Sequence, residues 1–125
     1  MGSGGGSASS APGGAGGGAL RLVVDDTLIL NGALSANGLA GTEGDSHAGG
    51  GGAGGSLWIE AATFTGDGML RADGGDGGET RPPTGTLGRC DNAYGRGGGG
   101  AGGRVAVYAH SNVFTATGGT LCIWR

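Results

Sequence analysis

The sequence predicts an all-β protein, a parallel β-helix or solenoid-like repeat with glycine-rich, polyglycine-II-like arms. Two observations predict this fold class. A glycine cluster runs directly into a short apolar segment three times, within residues 13–24, 49–61 and 97–109. Apolar residues alternate within those segments, which is the pattern of a strand with one buried face. Repeats of this size are typical of stacked units that bury their apolar faces against one another.

The composition narrows the class of protein. The chain has 125 residues, enough for one domain, and 36 of them are glycine, with only three prolines. The glycines follow no strict three-residue period with proline, so collagen is excluded. Seven basic residues against ten acidic ones give a net charge of −3 and no basic patch, so we expect no nucleic-acid partner. No apolar stretch reaches membrane-spanning length, so we expect no membrane insertion.

The first strand of each unit follows a glycine arm. These strands are predicted at Leu20–Val24, Leu57–Ala61 and Val105–Ala109. Residues two apart on a strand point to the same face, so the apolar residues of successive units are expected to form an inward ladder. In the last two units its members are Leu57, Ile59, Val105 and Val107.

A second strand follows in each unit, marked by the pattern x-h-x-Ala-x-Gly, in which h is a large apolar residue. The apolar position is Leu34 in the first unit, Leu70 in the second and Phe114 in the third. Because the pattern places these three side chains at equivalent positions, we expect them to stack in one buried ladder.

The repeat divides the chain into a leader and one domain. Residues 1–12 are either a flexible leader or the end of a preceding arm. The domain, residues 13–124, has about three units, and their bounds are 13–48, 49–96 and 97–124. The second unit is lengthened by an insertion at residues 75–96. An insertion into one repeat maps to a loop on one face, so this loop is the expected place for a function specific to that unit.

The glycine arms allow two interpretations. In isolation a glycine run is a flexible linker. Stacked side by side, the arms instead form extended, polyproline-II-like segments whose backbones hydrogen-bond to one another, which only glycine allows at such close approach. We expect the stacked form, because the strands on either side fix the ends of each arm and the Gly-Gly-Ala-Gly-Gly order recurs in the second and third arms.

The motifs that resemble catalytic or ligand-binding sites are weak. Gly50–Gly55 fits the dinucleotide pattern G-x-G-x-x-G, but a β segment follows where that motif needs a helix. Gly74–Thr80 resembles a calcium-binding nonapeptide with two departures and no tandem copy, and a solvated acidic turn explains it better. Asp45, Ser46 and His47 are consecutive, so they point in different directions on an extended chain. The sequence therefore predicts no catalytic residue, no cofactor and no metal site, and we expect that the protein is not an enzyme.

Two outward aromatic residues and two cysteines remain. Trp58 and Tyr108 fall between inward residues, so they face away from the ladder and either make surface contacts with sugars or subunits or pack beneath the glycine arms. Cys90 and Cys122 are an even pair, and we predict a disulfide that ties the insertion loop to the next first strand.

The repeat as a whole resembles known proteins. Three motifs carry the resemblance: Gly-Gly-Ala-Gly-Gly-Ser-Leu-Trp-Ile-Glu-Ala, Gly-Asp-Gly-Met-Leu-Arg-Ala-Asp-Gly-Gly and Gly-Gly-Ala-Gly-Gly-Arg-Val-Ala-Val-Tyr. Over residues 13–124 the chain is similar to glycine-rich β-solenoid repeat arrays of large secreted or surface proteins. The resemblance implies a stalk, adhesin or filament component, located outside the cell or on its surface, and it carries no catalytic residues.

Two functions follow as expectations. The leading one is a structural subunit or segment of an extracellular fibre, whose main partner is itself. It would assemble head-to-tail through uncapped ends, with Ile123 and Trp124 at one end and Leu20–Val24 at the other. The alternative is an adhesin-type module that recognises glycans or surfaces through the loop at 75–96 and the outward residues Trp58 and Tyr108.

Overall fold

The computed structural model describes residues 1–80, 96–112 and 122–124, and strands are the only regular secondary structure in them. The strands are β1 (Ala19–Ile29), β2 (Ala33–Ser35), β3 (Ser56–Thr65), β4 (Met69–Arg71), β5 (Arg104–Asn112) and β6 (Cys122–Trp124). The predicted all-β class is therefore confirmed. Dense glycine and the alternation of apolar with small or polar residues disfavour any helix over these segments.

All pairs of strands in the described part of the chain are parallel. One sheet has the order β1-β3-β5-β6, and a second sheet consists of β2 and β4. Parallel neighbours need long crossover connections rather than tight hairpins. Here the crossovers contain the glycine segments, so the same residues that join the strands also form a separate layer of the molecule.

The strand register follows the sequence repeat. Leu20 pairs with Leu57, and Leu57 pairs in turn with Val105. In the second sheet Leu34 pairs with Leu70. The register of β1 against β3 shifts between Val24 and Thr27, where β1 carries one extra residue. Equivalent positions of successive units therefore lie side by side, as the spacing of the motifs predicts.

The core lies under the inner face of the larger sheet. Phe64, Ile59 and Val107 are its largest fully buried side chains. Ala109 completes the buried cluster, and six partly buried side chains pack against it: Leu22, Leu28, Leu30, Leu34, Leu70 and Val105. Full burial of each large residue contributes about 1.5–3 kcal/mol, so this small cluster is the main apolar anchor of the strands.

The second-strand ladder differs from the expectation in its depth. Leu34 and Leu70 are register partners and pack against the core, but both are only half-buried. The reason is that β2 and β4 are three residues long and cover only part of the core. Phe114, the third predicted member, lies outside the described residues.

The glycine segments are ordered by backbone hydrogen bonds. We name residues 12–18, 49–55 and 97–103 the first, second and third arms, and residues 36–42 and 72–79 the first and second return arms. Gly14 donates to the carbonyl of Gly50 at 2.8 Å, which joins the first arm to the second. Gly51 donates to the carbonyl of Gly98 at 2.9 Å, which joins the second arm to the third. The arms are therefore not flexible linkers in this structure.

Residues 2–6 lie against the arms as well. The amides of Gly2 and Gly5 donate to the carbonyls of Gly17 and Gly14, both at 2.8 Å. The amide of Gly50 in the second arm donates to Gly6, also at 2.8 Å. Residues 2–6 therefore make the same kind of backbone hydrogen bonds as the arms do.

Candidate functional site

The outer face of the larger sheet carries the most concentrated set of polar and aromatic side chains in the described chain. Alternation along β3 places Trp58 and Glu60 on the face opposite Leu57 and Ile59. Trp58 and Glu60 are partly exposed, whereas Leu57 and Ile59 are buried. The repeat register brings Arg21 of β1 beside Trp58, so three units contribute to this face.

Two aromatic rings stack across neighbouring strands. The ring centroids of Trp58 and Tyr108 are 4.7 Å apart, and the ring planes are tilted by 30°. Stacked pairs of this kind contribute about 0.5–1.5 kcal/mol beyond their buried area. Because each ring turns one side toward the other, only the outer side of each is left for another group. The pair therefore stabilises the sheet more than it offers a flat platform.

A carboxylate lies beside these rings. The indole N–H of Trp58 donates a hydrogen bond to Oε1 of Glu60, and the guanidinium of Arg21 lies 3.1 Å from the same oxygen. The hydrogen bond from Trp58, followed by the hydrogen bond and charge of Arg21, lowers the pKa of Glu60 below its ordinary value. Glu60 is thus held ionised near neutral pH, so it suits a fixed negative charge and not a proton donor.

A shallow groove of about 620 Å³ runs along this face. Its outer wall comes from β1 at Val23 and Asp25, and its floor from Trp58, Glu60 and Tyr108. His110 of β5 also lines the groove. It is an open, largely apolar cleft that also carries aromatic and acidic side chains, and it can contact a small molecule or a neighbouring polypeptide.

The catalytic-looking motifs do not assemble into a site. The Nδ1 atom of His47 lies 3.3 Å from the hydroxyl of Ser46, but both residues are exposed and adjacent in sequence. Gly75 and Gly78, which lie inside the calcium-like motif, donate to the carbonyls of Gly52 and Gly49. That motif therefore forms the second return arm, which differs from the expected solvated turn. Within the described ranges, no group of three or more His, Cys, Asp or Glu side chains could hold a metal ion.

The remaining predicted residues lie partly outside the described chain. Cys90 and most of the insertion loop do so, and the disulfide between Cys90 and Cys122 stays a prediction. The disulfide candidate Cys122 and the predicted assembly residues Ile123 and Trp124 belong to β6. The backbone of β6 pairs with β5: Cys122 with Ala106, Ile123 with Val107 and Trp124 with Tyr108. Trp124 thus occupies the backbone register position next to Tyr108.

Sequence reasoning missed the ion pair between Arg21 and Glu60. Arg21 aligns with Trp58 when the first two units are superposed by their strands, and Glu60 lies two residues further along the same face. The repeat spacing alone therefore predicts that these two positions can contact each other diagonally across the strands. The ion pair is not evident from the sequence, because both residues lie on the outer face of the sheet, where charged side chains are common.

Comparison of the chain with protein-family models, with curated proteins and with solved structures gives no match. Over the residues that the structure describes, no helix has the length and hydropathy to cross a membrane.

Proposed function

We propose that the chain is a structural segment of an extracellular or cell-surface fibre, built as a parallel β-helix-like repeat with polyglycine-II-like arms. The observation that supports this proposal most strongly is the hydrogen bonding of the second arm. Its successive amides donate to three different neighbours in turn. Gly50 donates to Gly6, Gly51 to Gly98 and Gly52 to Leu39, all at 2.8–2.9 Å.

The same order repeats along the arm. Ala53 donates to Ser3, Gly54 to Ala101 and Gly55 to Ala36. A donor direction that recurs every third residue is the symmetry of a polyproline-II-type helix, which has three residues per turn. Carbonyls of the same arm accept from the first arm and the second return arm. The second arm is therefore surrounded by five other segments, and its backbone is the centre of a bundle.

This arrangement explains the glycine content. Fixing a residue costs about 1–2 kcal/mol of conformational entropy, and glycine loses the most freedom. A net gain of about 0.5–1.5 kcal/mol per hydrogen bond offsets that cost only where every arm is contacted on several sides. A stack of many units meets this condition better than a short one, because only the outermost arms lack neighbours. The architecture therefore favours length, which suits a fibre or stalk.

The partner in this proposal is another repeat unit. Units joined within one long chain fit the arms best, because each arm already runs into the strand that stacks on its neighbour. No catalytic role or cofactor is included in the proposal. The resemblance to glycine-rich arrays of secreted and surface proteins supports a location outside the cell.

Negative-stain microscopy of native material tests the proposal. An antibody raised against the insertion loop at residues 75–96 marks each copy of this segment. Long rods of uniform width that bind the antibody at fixed positions are the expected result. Compact single particles of uniform size would contradict the fibre proposal.

The groove on the outer sheet face favours a second candidate, an adhesin-type module that binds glycans. Trp58, Tyr108 and Glu60 supply the aromatic and acidic groups that a sugar contacts. A glycan array probed with the wild-type chain and with the variant Trp58→Ala tests it. Glycan binding that the substitution abolishes would support the adhesin function. If the wild-type chain binds no glycan, the adhesin function is contradicted and only the structural role is left.

A further inference from the structure

The arm stack is not symmetric, because each arm uses one set of positions to face the arm before it. In the second arm these positions include Gly49 and Gly52, and in the third arm they include Gly97 and Gly100. A Cβ atom at any of the four would lie closer than 3.0 Å to a carbonyl oxygen of the preceding arm. Real Cβ atoms do not approach so closely, so stacking one arm on another requires glycine there.

The first arm breaks this rule. The strand register aligns Pro12 with Gly49 and Ala15 with Gly52. Both residues are exposed, and they carry side chains at the positions where an arm laid before them would place its carbonyls. Pro12 and Ala15 therefore leave no room for another arm on that side.

The return arms show the same asymmetry independently. Gly75 and Gly78 of the second return arm face the carbonyls of Leu39 and Thr42 closely enough to exclude a Cβ atom. In the first return arm the equivalent positions are Leu39 and Thr42 themselves. Leu39 is 63% exposed, so its side chain projects from the face where a preceding return arm would have to lie.

The edge of the larger sheet on this side is also irregular. β1 is the edge strand, and its register shift leaves Asp25 and Asp26 opposite a single position of β3. A bulge and charged residues on an edge strand are devices that prevent a further strand from pairing. The sheet and both layers of arms are thus modified on the same face.

We infer that the face formed by Pro12, Ala15, Leu39 and Thr42 is a cap. The cap prevents the glycine arm of a second copy of this chain from stacking on the first arm. This inference rests on the proposed function, and it replaces the expectation of an uncapped end at the side of the first arm.

Removing the cap tests the inference by gain of function. We expect the wild-type chain to sediment as single copies, and the variant Pro12→Gly/Ala15→Gly/Leu39→Gly/Thr42→Gly to form multimers whose mass rises with concentration. Restoring Pro12 and Ala15 in this variant should return it to single copies, because their side chains again occupy the place of the incoming arm. The matched control adds four glycines at exposed positions outside the arms: Ser9→Gly, Ser10→Gly, Asn31→Gly and Ser46→Gly. It should remain a single copy.

Two results would overturn the inference. One is a cap-free variant that keeps its circular dichroism spectrum and protease resistance but stays a single copy. The other is a wild-type chain that forms multimers in which the amides of Ala15 and Gly18 gain protection from exchange. The second result would leave the fibre proposal intact, since copies stacked head-to-tail still build a fibre, whereas that proposal fails on the microscopy described above.

Amide exchange in the wild-type chain gives a second test that needs no folding of a variant. The amides of Ala15 and Gly18 occupy the positions from which Gly52 and Gly55 of the second arm donate to the first return arm. They should exchange at the same rate in dilute and concentrated samples. Protection that appears only at high concentration would show that copies stack despite the cap, and this outcome contradicts the inference.

Discussion

Substituting Gly52 by alanine should destabilise the arm layer by more than the small volume of one added methyl group suggests. Gly52 lies at the centre of the second arm, and its added Cβ atom would meet the carbonyl oxygen of Ala15 at less than 3.0 Å. The first and second arms must therefore move apart. Two hydrogen bonds join these arms, from Gly14 and Gly17, and two more join Gly52 itself to Leu39 and Gly75.

The magnitude follows from those four hydrogen bonds. At a net value of about 1 kcal/mol each, their loss destabilises the fold by roughly 4 kcal/mol. Small-to-large changes in tightly packed sites cost about 1–3 kcal/mol by themselves, so the two estimates agree in scale. A loss of this size is a large fraction of the 5–15 kcal/mol that is usual for a domain.

Urea denaturation followed by circular dichroism measures this effect as a shift of the midpoint at constant slope. Gly18→Ala is the matched control, because an added Cβ atom there meets nothing within 4 Å. That variant should be as stable as the wild type or slightly more so, by about 0.4–1 kcal/mol, since alanine reduces the freedom of the unfolded chain. Equal midpoints for Gly52→Ala and Gly18→Ala would refute the close packing of the arms.

Three further predictions concern other parts of the molecule. Phe64→Ala should destabilise the fold by about 3–5 kcal/mol in the same urea assay, because Phe64 is fully buried at the centre of the core, and a loss below that of an exposed substitution would contradict this. Because the pKa of Glu60 is lowered, its ionised form should stabilise the fold above the ordinary pKa of 4.5, and this contribution should fade as the pH falls through the folded-state pKa. Thermal melts of Glu60→Gln at several pH values should lack this part of the acid dependence. Identical acid dependence in the wild type and the variant would contradict the ion pair. The predicted disulfide between Cys90 and Cys122 should raise stability by about 3–4 kcal/mol, and intact mass with and without a reductant tests it; two free thiols in native material would exclude it.

Much of the fold could be predicted from the sequence because the repeat encodes it. The motif spacing alone places Leu57 beside Val105 and Leu34 beside Leu70, and the structure shows those pairs. Matching the motifs predicts the strand pairs because parallel stacked units bring equivalent residues together. The number of neighbours around each arm could not be predicted this way, because a glycine run carries no side-chain pattern to indicate which way its amides point.

The candidate site was less predictable than the fold. Alternation correctly places Trp58 and Tyr108 on the face away from Ile59, but it does not show that their rings stack on each other. The contact of Arg21 with Glu60 depends on a diagonal between strands, which requires the register and not just the face. The asymmetry between Ala15 and Gly52 was present in the sequence, yet its meaning depends on knowing which carbonyl each position faces.

Amide hydrogen exchange along the second arm tests the central claim, an ordered bundle of glycine arms, most directly. Every amide from Gly49 to Gly55 donates a hydrogen bond to a neighbouring segment, so all should exchange as slowly as the amides of β3. In Gly52→Ala the same amides should lose their protection first, while Ile59 and Phe64 in the core stay protected longer. Rapid, uniform exchange of residues 49–55 in the wild-type chain beside a protected β3 would contradict the account, because the arms would then be flexible linkers.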